Sequence, residues 1–179
     1  MRAWNGWYHV NGNTYGTWLR GDARGWREWK HHEHVDGDYR NPPPPGQSDE
    51  PLIQSRRMMR GRPIRLTPEQ RRIAGQALAE KLAEMGIEVL VLSVDAVHYH
   101  FLARFADGQI RWRVGRAKKH ASHVLSRHGL PGTVWAKRCR ALPVRDRRHQ
   151  LNAFEYIRSH GAKGAWVWTF REGLYWLEK

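Results

Sequence analysis

Between Ile87 and Phe105 the chain reads IEVLVLSVDAVHYHFLARF, two apolar runs joined by a short polar break. Their length and β-branched content predict strands over 87–94 and 97–105, close enough to pair as an antiparallel hairpin. The preceding segment has helical period. Thr67 is suited to the N-cap, Pro68 to the first helical position, and Gln70 completes a capping box. Ile73, Ala77, Leu78, Leu82 and Met85 then recur on one face, and Gly86 ends the helix. Downstream, a basic helix is predicted over 111–127 with Val114, Ala117, Ala121, Val124 and Leu125 as its apolar stripe. Alternation over 134–144 predicts a strand, 146–160 a last helix with Leu151, Phe154 and Ile157 buried, and 165–170 a closing strand. With one strand expected near the start, the order is strand, helix, hairpin, helix, strand, helix and strand. That order implies an α+β fold, an antiparallel sheet with helices on one face.

Between residues 21 and 65 periodicity disappears. NPPPPGQSDEP, from Asn41 to Pro51, excludes helix interior and central strand, because each proline fixes φ and removes a donor. The span reads as a long insertion loop within one domain over 1–179, and its histidines, His31, His32 and His34, as polar loop residues.

Charge adds a partner class. Lys and Arg total 31 against 17 Asp and Glu, a formal net charge of +14. Such an excess favours a polyanion, since each phosphate contact releases condensed counterions. No apolar run is long enough to span a bilayer and no signal segment is apparent, so a cytoplasmic setting without a membrane partner is expected. The single cysteine, Cys139, excludes an internal disulfide and reads as a small buried hydrophobe.

Alternation places His98 and His100 side by side on one strand face, about 7 Å apart at Cα, while Val97, Tyr99, Phe101, Ala103 and Phe105 face the other way. Two adjacent imidazoles can chelate one metal ion. On the last helix Tyr156 lies opposite the expected stripe, with His160 one turn on as a third candidate ligand. A tyrosine hydroxyl can attack phosphorus once deprotonated. Arg104, on the histidine face, is a candidate phosphate contact, and Arg113, Arg116, Lys118 and Lys119 are candidates for tracking a nucleic-acid backbone.

These motifs resemble those of single-tyrosine HUH transposases of the insertion-sequence-200 type, especially the REP-associated tyrosine transposases. TYGTWLRGDARGW resembles that family's opening block and GRPIRLTPEQRRIAGQAL the start of its first helix. VHYH occupies the HUH position, and VWAKRCRALPV followed by LNAFEYIRSHGAKGAWVW resembles the strand and nucleophile helix. The resemblance implies a ferredoxin-like HUH palm that binds single-stranded or hairpin DNA in a bacterial, nucleoid-associated setting. It also implies that the protein cleaves and rejoins one strand. His98 and His100 would hold magnesium or manganese, and Tyr156 would carry the 5′ phosphate. The family has Gln or Asn where this chain has His160, and often Asn where it has Val97. A third imidazole favours manganese, or a more tightly held transition metal, over magnesium. A homodimer is a further expectation, since the tyrosine can serve its own subunit or a partner's. Two alternatives stand beside this reading: a catalytically inactive DNA-binding protein derived from such a transposase, and a metal-dependent hydrolase or zinc-binding protein using the loop histidines.

Overall fold

The capping box predicted at Thr67 is formed. The Thr67 hydroxyl accepts from the Gln70 amide while the Gln70 side chain accepts from the Thr67 amide, starting a helix over Pro68–Glu84. Gly86 closes its last turn at φ +69°, a conformation that costs glycine little. The structure, a computed structural model, describes residues 3–26, 34–35, 41, 43–44, 46 and 49–177. His31 and His32 lie outside the described residues.

Contacts divide the chain into two units, Met1–Thr14 with Arg65–Lys179, and Tyr15–Ile64. In the first, β1 (Trp7–Asn13), β2 (Glu88–Val94), β3 (His98–Arg104), β4 (Arg140–Pro143) and β5 (Trp166–Thr169) form one sheet in the order β4-β1-β3-β2-β5. Every neighbouring pair is antiparallel. The helices are α2 (Pro68–Glu84), α3 (Ile110–Arg127) and α4 (Arg147–Arg158). The first four strands with α2 and α3 have the ferredoxin-like order, β5 being added beside β2. Among the described residues no helix is long and apolar enough to cross a membrane.

Strand alternation assigns the layers. Trp166 packs against Gly75 of α2, while its neighbour Val167 belongs to the cluster beneath α4, so the two helices lie on opposite sheet faces. α3 packs beside α2, and Lys118 of α3 bonds to the carbonyls of Ala136 and Lys137, next to Trp135, which meets Tyr99 edge-on. The paired helices therefore share the Tyr99 face, as the pattern predicts. The tyrosine helix takes the other face, where Ala153 and Ile157 bury against Trp7, Val91, Leu102 and Val144.

Several elements differ from expectation. The stripe of α4 is Ala153 and Ile157, whereas Leu151 stands 49% exposed. At about 100° per residue this turns the helix so that Tyr156 sits at the margin of its contact, not opposite it. The strand expected over 134–144 is a ladder only over Arg140–Pro143, with an isolated bridge from Trp135 to Thr14; the carbonyls of Ala136 and Lys137 are taken by the Lys118 ammonium.

In the second unit, the stretch without periodicity contains a helix, α1 (Asp49–Arg57). Pro51 fits its first turn, where no intrahelical donor is lost. Asp49 and Glu50 at one end and Arg56 and Arg57 at the other suit the helix dipole. The Ile64 amide donates to the Tyr15 carbonyl at 2.9 Å, closing the unit where the chain leaves it.

Helix-interior glycine is ordinarily about 1 kcal/mol worse than alanine, so Gly→Ala in a free helix stabilises. At Gly75 a Cβ would lie inside the Trp166 ring. Gly75→Ala is expected to destabilise by roughly 1–3 kcal/mol through overpacking, read from denaturant midpoints; a stabilised variant would refute this packing.

Candidate active site

The site starts from two neighbouring strand positions. In register, His100 lies opposite Asn11 of β1 and Ser93 of β2, in the middle of the sheet face that α4 covers. Because α4 docks through Ala153 and Ile157, the turn after it (Ser159–Lys163) carries His160 down onto the same face. Ring centroids of His98 and His100 are 5.0 Å apart, of His98 and His160 5.6 Å, and of His100 and His160 4.7 Å. One nitrogen from each lies within 4.8 Å of the others, the only such group of three metal-ligating side chains among the described residues. His98, His100 and His160 could together hold one metal ion.

Tyr156 joins them from α4 of the same chain. Its ring centroid is 4.8 Å from His160, 5.7 Å from His100 and 5.8 Å from His9, and the residue is 51% exposed. A large molecule can therefore reach the phenol beside the buried imidazoles.

His9 was not singled out in the sequence. Its Nε2 lies 2.9 Å from His100 Nδ1. With the proton on His100 Nδ1, that nitrogen donates to His9 and leaves His100 Nε2 as a lone pair directed elsewhere. Ser93 does the same for His160, with its Oγ 3.1 Å from His160 Nδ1. Such outer partners fix the orientation of ligating imidazoles. The His9 pair rests on the register of β1 with β3 and the Ser93 pair on the docking of α4, and both join residues far apart in the chain.

Electrostatics keeps these rings neutral. Burial, followed by His9, His98 and His160, pushes His100 down to about 2. Burial, followed by His149, His160 and Arg140, lowers His9 to about 4. His160 is also lowered, by burial and then by His98 and Lys163, with Asp95 opposing. Neutral imidazole is the ligand form, so these shifts fit a metal site. Three nitrogens without a carboxylate suit manganese or zinc-like ions better than magnesium, which prefers oxygens.

The predicted basic residues are elsewhere. Arg104 lies about 13 Å along β3 from His100 and pairs with Glu88 at 3.6 Å. Arg113 holds Asp107 at 2.7 Å, and Arg116 lies over Trp112. Lys118 is buried on two carbonyls and is a structural residue, not a candidate for tracking a nucleic-acid backbone. Lys119, though exposed, is also on α3, in the layer behind the sheet. Two exposed cations act electrostatically on these histidines, Arg140 on His9 and Lys163 on His160.

No protein-family model matches the chain, and no curated protein matches it. Among solved structures it is similar to a REP-associated tyrosine transposase bound to a REP hairpin, at 12% identity and a TM-score of 0.51, over 91% of this chain and 70% of that one. The likeness is one of fold.

Two measurements follow. His9→Ala is expected to weaken manganese or zinc binding about 10- to 100-fold by calorimetry while the fold persists; unchanged affinity would remove His9 from the site. The metal-free protein should also lose stability as pH falls. The unfolded chain takes up protons near 6.5, whereas folded His9 resists them down to about 4. Melting temperature should therefore drop between those values, and His9→Ala should flatten part of the drop.

Proposed function

We propose that this protein is a metal-dependent tyrosine transposase that binds single-stranded or hairpin DNA and cuts and rejoins one strand through Tyr156. The observation that carries the reading is the half-exposed phenol set against His100 and His160, within a chain of net charge +14. The similarity to a transposase bound to a hairpin supports the same class.

The chain's own groups divide the work. His98, His100 and His160 would hold the ion, with His9 and Ser93 orienting two of them. An ion bound there would polarise a phosphodiester and offset the charge that develops on its oxygens. Arg140 and Lys163 receive flanking phosphates at the site margin. The Tyr156 Oη gives its proton to solvent and forms a bond to phosphorus. The bond from phosphorus to the 3′ oxygen breaks, and that oxygen takes a proton from water. One strand end is thus left as a 3′ hydroxyl and the other as a 5′ phosphotyrosine. Attack by a 3′ hydroxyl on the phosphotyrosine reverses these bonds, rejoining DNA and restoring the phenol. Glu155, next in sequence to Tyr156, is paired to Arg158 at 2.7 Å and takes no part.

Incubation of the protein with labelled hairpin DNA and manganese should give a covalent protein–DNA band. Tyr156→Phe should abolish the band and leave DNA retardation intact, and His98→Ala should lower its yield by at least 100-fold. Retardation without any band in the unmodified protein would mark a binding protein without chemistry; a band that survives Tyr156→Phe would exclude this nucleophile.

A further inference from the structure

The second unit contains a cleft that the proposed chemistry does not use. Its volume is about 620 Å³, within the range of small-ligand sites, and it lies wholly inside Tyr15–Ile64. One wall comes from the opening block, with Gly16, Leu19 and Asp22, and the other from α1, through Leu52 and Arg56, and the segment from Met59 to Pro63 after it. In sequence this segment lies within a basic run. RRMMRGRPIR holds five arginines and no acid.

The two kinds of lining residue are complementary. Leu19, Leu52, Met59 and Pro63 give an apolar surface, and Arg24, Arg56, Arg60 and Arg62 border it. Asp22, the acid among the lining residues, is already neutralised: Arg24 donates to both its carboxylate oxygens, which holds that carboxyl below its ordinary range. Arg56, Arg60 and Arg62 are exposed and have no ion pair among the described residues. Arg24 also lies 4.8 Å over the ring of Trp18, which is 38% exposed. An apolar floor, a cationic rim and an adjacent accessible indole are the parts a protein uses to hold an unpaired nucleotide, base against the floor and phosphates on the guanidinium groups.

We infer that this cleft is a second nucleic-acid site, which takes a nucleotide of an unpaired DNA strand flanking the segment that Tyr156 cuts. The inference rests on the function proposed above. It adds a recognition role for the unit inserted between β1 and α2. A free mononucleotide has the same chemistry, and the test separates the two sources.

The experiment uses the full chain with Tyr156→Phe, so that binding is read without cleavage, and two fluorescent DNAs, a blunt hairpin and the same hairpin with a ten-nucleotide single-stranded flank. The triple variant Arg56→Ala, Arg60→Ala and Arg62→Ala should bind the flanked DNA at least tenfold more weakly. The slope of log affinity against log salt should also shrink by about 2, at roughly 0.7 per single-strand phosphate lost. Affinity for the blunt hairpin should change less than twofold, and lysine at the three positions should restore most of the loss. Equal losses on both DNAs would overturn the inference in favour of general charge, as would unchanged binding of the flanked DNA. Deoxyadenosine monophosphate held at micromolar affinity, together with unchanged DNA binding, would assign the cleft to free nucleotides and overturn it too. In each of these failures a Tyr156-dependent covalent band in the otherwise unmodified chain leaves the proposed function standing; if that chain neither binds nor cuts DNA, both readings fall.

Discussion

Docking of α4 on the sheet is the contact on which the site depends. Ala153 and Ile157, one turn apart, bury against Leu102 and Val91, and this single interaction fixes both the rotation and the depth of the helix. Rotation puts Tyr156 on the flank, where its ring touches the imidazoles yet half its surface meets solvent. Depth brings His160 to the Ser93 hydroxyl. The strand supplies His98 and His100 at a spacing that the pleat dictates. The helix supplies Tyr156, and the turn that follows it supplies His160. Alanine at 153 matters here, because a larger residue would lift the helix from the sheet and separate the two sets.

The features legible in the sequence are those that local physics decides. The capping box at Thr67, the turn at Gly86, the β2–β3 hairpin and the shared face of His98 and His100 each depend on a few neighbouring residues. The failures share a different cause. Of the predicted stripe, Ile157 is buried and Phe154 partly so, but Leu151 is exposed, because small Ala153 allows closer approach to the sheet and wins the buried position. His9 matters through the register of β1 with β3, and Ser93 through the docking of α4 that brings His160 to it; neither is encoded by a local pattern. Lys118 looked like one more cation on a basic helix. Burial, and the two carbonyls at its ammonium, make it a clamp between α3 and the segment before β4. α1 escaped notice because prolines dominate its approach and its apolar content is small, although the charges at its two ends favour a helix.

The charge balance of the site gives the arrangement its direction. Imidazole ligands bring no negative charge to a cation, and the surrounding chain carries a large positive excess. Asp95, whose charge is felt at His160 and whose carboxylate lies 3.9 Å from His98, is a small counterweight. On the proposed reading a divalent ion held there keeps nearly its full charge, with Arg140 and Lys163 adding to the field at the rim. Such a centre is costly to fill alone and favourable once phosphates arrive, because the oxygens of a DNA backbone supply the missing negative charge to ion and cations together. On that reading ion and strand would each strengthen the other's binding beside Tyr156. A carboxylate in the ligand set would weaken that dependence by neutralising the ion beforehand. On the proposed reading the all-histidine set therefore couples the affinity for the ion to the presence of the strand.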